Sequence, residues 1–358
     1  MTIPKIGFSI GDINGVGLEV ILKSLVKSNF SNYFVPVIYC SSILIQDYKK
    51  SLGLDDNLFY FMKDEDSPKP KKINVFSCWK ENVVITYGEV NETGGKYAGI
   101  SLDAALDAVK NKRIDALVTA PIHKKSMEMS GFGFPGHTEF LADKFSGNKS
   151  LMLMVNDDLR IGVVTGHIAL QDVAKSITKA AIIEKTQMLT QTLKMDFDIQ
   201  RPVIAILGLN PHAGDQGLFG DEEAKVIQPA IDELKKAGHL IMGPYPADGF
   251  FGSGQFKKFD AILAMYHDQG LVPFKTLAFG GGVNFTAGLP IVRTSPDHGT
   301  AFDIAGKNQA SESSIRQATN LAIDICRNRT EFLSLTANKL TARKGKLDGE
   351  DEIITDME

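Results

Sequence analysis

The sequence predicts an α/β protein built on a largely parallel sheet. Short β-branched runs alternate with amphipathic stretches along the chain, and most of those runs are continuously apolar, as in strands covered on both faces. The first strand spans 5–10 and is followed by GDINGVG, whose Gly11, Gly15 and Gly17 suit a tight turn opening a helix at about Leu18. A second strand spans 34–40, and the proline-broken polar segment 64–72 reads as a surface loop. Further strands are expected at 116–119, 160–165, 203–207, 261–265 and 289–293. One helix spans 179–195, with Ile182, Thr186, Leu189 and Leu193 on one face. Another spans 313–327, with Ile315, Ala318, Ala322 and Ile325. From about Thr330 the chain turns polar, basic and then acidic, and is expected to be a solvated tail.

At 358 residues, 43% hydrophobic and 23% charged, the chain can bury one or two substantial cores. Acidic residues outnumber basic ones 43 to 39, which removes nucleic acid as the default partner. Three scattered cysteines form neither a disulfide framework nor a zinc–thiolate motif. No apolar run approaches the ~18 residues that span a bilayer, and MTIPKIGFSIGD lacks the features of a signal peptide. No membrane association is therefore expected, and the expected compartment is the cytoplasm.

Five of the seven histidines follow strand candidates by a few residues: His123, His167, His212, His267 and His298. In parallel α/β sheets ligands bind beyond the carboxyl ends of strands, so these imidazoles are expected at one edge of the sheet, around one site. Imidazoles without thiolates suit Zn, Co, Ni or Fe, and the nearby carboxylates Asp248 and Asp268 would extend the range to Mg or Mn. His239 reads as structural. His137 and Thr138 open a short helix after a Pro-Gly turn, where they either receive an anion or simply cap the helix. Lys275, Asn284 and Arg293 surround a triple glycine and could hold a carboxylate or phosphate. The Gly11 loop matches neither the dinucleotide fingerprint nor the P-loop, so it is not read as a nucleotide site.

Six blocks then read together: TAPIHK (119–124), GHTEF (136–140), VTGHIAL (164–170), LNPHAG (209–214), AMYHDQG (264–270) and RTSPDHGTAFDIAG (293–306). On these the chain resembles the 4-hydroxythreonine-4-phosphate dehydrogenase family of pyridoxal phosphate biosynthesis. The resemblance implies an isocitrate/isopropylmalate dehydrogenase-like fold, with two α/β/α domains flanking an active-site cleft. Residues 1–128 with 290–330 would form the cofactor side, 129–289 the metal and dimer side, and 331–358 the tail. It implies a divalent ion (Zn, Co or Mg) on His167, His212 and His267, and a small phosphorylated amino-acid substrate on His137, Thr138, Lys275, Asn284 and Arg293. NAD or NADP is expected near His298, Gly299, Thr300 and Ala301. It also implies a homodimer in which one metal histidine comes from the partner subunit. The implied reaction oxidises 4-phosphooxy-L-threonine at C3 to a β-keto acid that loses CO2. Asp248 and Asp268 are the candidates for the general base, or either could orient a metal histidine instead. The rival readings are a related dehydrogenase for a phosphorylated four-carbon sugar acid or a cis-diol, and a metal-dependent hydrolase or lyase without nicotinamide.

Overall fold

The computed structural model describes residues 3–337 apart from 65, 135, 146–148 and 279. The first part of the chain forms β1 (Lys5–Ser9), α1 (Gly17–Lys27), β2 (Val35–Cys40), α2 (Ser42–Leu52), β3 (Phe59–Met62), β4 (Ile73–Ser77), α3 (Glu92–Lys110) and β5 (Ala116–Thr119). Then come α4 (Lys124–Met129), α5 (His137–Lys144), β6 (Leu151–Val155), β7 (Arg160–Thr165), α6 (Leu170–Ser176), α7 (Lys179–Asp196) and β8 (Val203–Leu207). The rest comprises α8 (Gln228–Lys236), β9 (Leu240–Tyr245), α9 (Ala247–Gly252), β10 (Ala261–Tyr266), α10 (His267–Leu277), β11 (Val283–Ala287), β12 (Val292–Pro296) and α11 (Ser313–Thr336).

All the strands join one sheet in the order β3-β4-β2-β1-β5-β12-β11-β6-β7-β10-β8-β9. The six strands from β3 to β12 are mutually parallel, and so are the four from β7 to β9. Between them β11 pairs antiparallel with both β12 and β6, and β6 pairs antiparallel with β7. Three successive reversals leave the two parallel halves running in opposite directions. The expectation of five histidines at one edge is therefore corrected. His123 and His298 follow strands of one half, whereas His167, His212 and His267 follow strands of the other.

The continuous apolar runs are explained by burial: every residue of β2, β5 and β12 is buried. The helix at 179–195 forms as α7, with Ile182, Thr186, Leu189 and Leu193 all buried. The strand expected at 289–293 begins instead at Val292, because Pro290 has no N–H to give a ladder. The last helix also continues beyond Arg327 to Thr336. There the Arg329 guanidinium clasps the buried Asp196 carboxylate of α7, with Nε to Oδ1 at 2.6 Å and Nη2 to Oδ2 at 3.3 Å.

Candidate active site

Neighbouring parallel strands bring two of the predicted histidines together. Tyr266 of β10 lies beside Thr165 of β7, so His267 and His167 leave the sheet side by side. Their ring centroids are 5.4 Å apart. The strand ends beneath them are pinned. Thr165 Oγ1 donates to the Met265 carbonyl at 2.9 Å, and Gln269 accepts from Met265 N at 2.7 Å while donating to the Gly208 carbonyl at 2.6 Å. Asp268 Oδ1 lies 2.7 Å from His267 Nδ1. A carboxylate there accepts the Nδ1 proton and leaves the Nε2 lone pair for a ligand. Paired imidazoles fit a borderline ion such as Zn2+ or Co2+ better than Mg2+.

His212 does not join them. Among the described residues no three His, Cys, Asp or Glu side chains gather closely enough to hold a metal ion. His212 stands on a loop after β8 where five consecutive residues, His212 to Gln216, have positive φ. Left-handed geometry costs L-residues ~1–2 kcal/mol each, so this loop must be held from outside. The holder is Glu223, a buried carboxylate that accepts from Leu209 N and Asn210 N at 2.7 Å each and from Asn210 Nδ2 at 3.0 Å. His212 itself is exposed and sits against Phe219, with centroids 6.0 Å apart. Around these histidines Ile168, Leu170, Leu218 and Phe219 are also exposed, Leu170 by 73% and Leu218 by 72%.

A second cluster is buried where the two halves of the sheet meet. Arg293 on β12 is 2% exposed. Its Nε and Nη2 donate to Thr119 Oγ1 at 3.1 and 2.7 Å, and its Nη1 donates to Thr286 Oγ1 at 3.1 Å. His137 opens α5 nearby. Burial and, secondarily, the Arg293 charge hold its imidazole well below the ordinary value, so it is neutral at pH 7. Its Nε2 is buried and takes no hydrogen bond among the described residues, and the same is true of Asn284 Oδ1 on β11. The side chain predicted at Thr138 lies outside the described residues. Lys275, near the end of α10, pairs with Asp297 at 3.3 Å. Burial raises the Asp297 carboxyl above its ordinary value, against the opposing pull of Lys275.

The segment His298–Ala301 follows β12 and packs on the first glycine turn. The Thr300 carbonyl accepts from Val16 N at 3.1 Å and lies 2.9 Å from where a Cβ on Gly15 would stand, so only glycine lets the two loops close. Beneath them Asp12 is buried with Oδ1 accepting from Asn14 N at 3.0 Å, and burial raises its carboxyl. His123 is not part of the histidine pair: its Nδ1 accepts from Ser126 N at the start of α4, and its ring stacks on Phe302 at 5.1 Å. His239 sits 3.5 Å from Thr190 Oγ1, which suits the structural role expected of it. Asp248 is exposed on α9. Sequence reasoning passed over Glu223, Asp297 and Thr119 as participants, although Thr119 and Asp297 stand inside the motif blocks and Glu223 lies further along the segment that follows LNPHAG.

The chain matches the model of the family described as pyridoxal phosphate biosynthetic protein PdxA over residues 32–322. It is 46% identical to a 4-hydroxythreonine-4-phosphate dehydrogenase of Bacteroides thetaiotaomicron over 337 residues, 94% of this chain and 92% of that one. It is 37% identical to a protein of Oceanobacillus iheyensis provisionally named D-threonate 4-phosphate dehydrogenase, covering 90% and 98% of the two chains. Its structure resembles that of 4-hydroxythreonine-4-phosphate dehydrogenase from Klebsiella pneumoniae, with a TM-score of 0.78, 33% identity, and coverage of 90% and 98%. The α/β architecture, the pinned histidine strands and these likenesses over nearly the whole chain agree, and the chain belongs to the PdxA family of pyridoxal phosphate biosynthetic proteins.

Proposed function

We propose that the chain oxidises 4-phosphooxy-L-threonine at C3, using NAD or NADP and a divalent ion, as a homodimer in the cytoplasm. The product, 2-amino-3-oxo-4-phosphooxybutanoate, then loses CO2 to give 3-amino-2-oxopropyl phosphate. The observation that carries this reading is the His167–His267 pair, oriented by Asp268 and lacking a third ligand within the described chain. His212, standing away from the pair on an exposed loop, is the ligand to be supplied across the dimer. The exposed apolar Ile168, Leu170, Leu218 and Phe219 support a second copy seated on this face. Free thiols at Cys40, Cys78 and Cys326 suit a reducing compartment.

An ion at this site supplies a Lewis acid for the substrate hydroxyl and for the negative charge of decarboxylation, and a nicotinamide supplies the hydride acceptor. The chain's own residues do the positioning. Thr119 and Thr286 fix the plane of the Arg293 guanidinium, which presents a fixed fork to a phosphate or carboxylate without further ordering. Neutral His137 offers Nε2 to the same anion, and Asn284 and Lys275 extend the row along β11 and α10. Asp268 holds the His267 tautomer, which assigns it an orienting role and leaves Asp248 as the candidate base. His298 to Ala301, closed against the glycine turn, form the surface for the dinucleotide.

The test is reduction of NAD or NADP by purified, metal-stripped protein given 4-phosphooxy-L-threonine, with and without Zn2+ or Co2+. Ion-dependent reduction is expected. Reduction with D-threonate 4-phosphate in its place would move the substrate to the related sugar acids. Ion-dependent release of phosphate without reduction would overturn the dehydrogenase reading.

A further inference from the structure

The chain spends an unusual amount of structure on the loop that carries His212. Four L-residues and one glycine stand in succession in left-handed geometry, in a turn closed at its ends by Ala213 N to the Asn210 carbonyl at 3.1 Å, Leu218 N to the Asp215 carbonyl at 3.1 Å and Phe219 N to the Gly214 carbonyl at 3.2 Å. At the entry to the turn, the main-chain donors of residues 209 and 210 converge on one carboxylate. Glu223 is buried, takes two backbone N–H groups and one side-chain amide from residues 209 and 210, and carries no ion pair among the described residues. The loop wraps it closely: a Cβ on Gly214 would stand 2.7 Å from Glu223 Oε2. The loop's first residue, Gly208, is tied by its carbonyl to Gln269 on the helix that begins with His267.

We infer that Glu223 is a positioning residue for the metal site, setting the His212 loop in the conformation that presents its imidazole to the ion. The inference rests on the reading of His212 as a metal ligand. Two main-chain donors aimed at one buried carboxylate, with the Asn210 amide shared between Glu223 at 3.0 Å and Glu222 at 2.7 Å, define the path of residues 208–210, and the left-handed turn propagates that path to His212. A carboxylate is the side chain that suits this, because it accepts at both oxygens. A glutamine keeps one accepting oxygen and turns an N–H2 toward the Asn210 amide. An alanine leaves the loop unheld.

The experiment titrates Co2+ alone into metal-stripped protein, by calorimetry and by the visible absorption of the bound ion. It compares wild type, Glu223→Ala, Glu223→Gln, His212→Ala and Arg329→Ala. The last removes a buried ion pair between α11 and α7 and so controls for general loss of stability. Glu223→Ala is expected to bind Co2+ about 10–100-fold more weakly, with an altered absorption band, and Glu223→Gln to fall between it and wild type. Arg329→Ala should lower the unfolding temperature and keep its Co2+ affinity. If Glu223→Ala does not fold, Glu223→Gln decides by the same criterion. Unchanged affinity in the folded Glu223 variants, with His212→Ala weakened, overturns the positioning role alone. Unchanged affinity in His212→Ala overturns the ligand reading and this inference with it. A loss in Arg329→Ala equal to that in Glu223→Ala overturns the inference as well.

Discussion

The Arg293 cluster and the histidine pair are built on opposite plans. Arg293 is buried, and two threonine hydroxyls from neighbouring strands fix its guanidinium before any ligand arrives. The histidines stand at strand ends, His167 and His212 exposed, beside apolar side chains that nothing in the chain covers among the described residues. The Arg293 cluster is assembled from strands of one chain, whereas the proposed metal site would need His212 from a second copy. A buried cation held by hydroxyls must be assembled during folding, because a misplaced one would cost several kcal/mol. An exposed imidazole at a strand end carries little such cost.

This contrast can be broken from either side. His167→Ala should have the largest effect, removing ion-dependent NAD reduction by ~10³-fold or more, while the unfolding free energy stays within about 0.5 kcal/mol because the residue is exposed. A matching loss of stability, seen by denaturant titration, would show that this histidine is structural. Arg293→Lys should follow, costing turnover about 10²-fold together with stability. It keeps a charge but loses the fork that both threonines accept from, and steady-state kinetics with chemical unfolding would read both. Asp268→Asn comes next, with ion affinity reduced about 10-fold or somewhat more and the affinity for substrate analogues unchanged.

The smallest effect is a pH dependence from His137. Its folded imidazole is depressed below 6.5 by burial. Above the unfolded value both states are neutral, so stability is full. As pH falls through about 6.5 toward the folded value, the unfolded chain binds a proton that the folded chain refuses, and stability declines. Thermal unfolding of wild type against His137→Asn between pH 5 and 7.5 should show this slope only in wild type.

The strands at 116–119, 160–165 and 203–207 were legible because both faces are covered and the runs are unbroken. Strand β11, VNFTA, was not, since its Asn284 and Thr286 point to the polar cluster and interrupt the apolar pattern. The reversal of direction between the halves was invisible as well. It is set by pairings such as Val283 with Val155, far apart in the chain, which no local propensity records. The site shows the same division. His167 and His267 could be named because each follows a readable strand, and the structure puts them side by side. Glu223 is a buried carboxylate and Asp297 a half-buried one, and the meaning of each lies in the groups it faces: in sequence one is a helix-start acid and the other a loop aspartate.

The proposed metal site is divided between subunits, with His167 and His267 from one chain and His212 from the other. Mixing His167→Ala protein with His212→Ala protein, under conditions that exchange subunits, tests it directly. Each variant alone should be inactive. In a mixed dimer one site carries both substitutions and the other carries neither. Random exchange should then restore ion-dependent NAD reduction to about a quarter of wild type per subunit, the direct count for one intact site in each mixed dimer. Mixtures that exchange subunits, as shown by labelled protein, yet stay inactive would contradict the division and place all three histidines on a single chain.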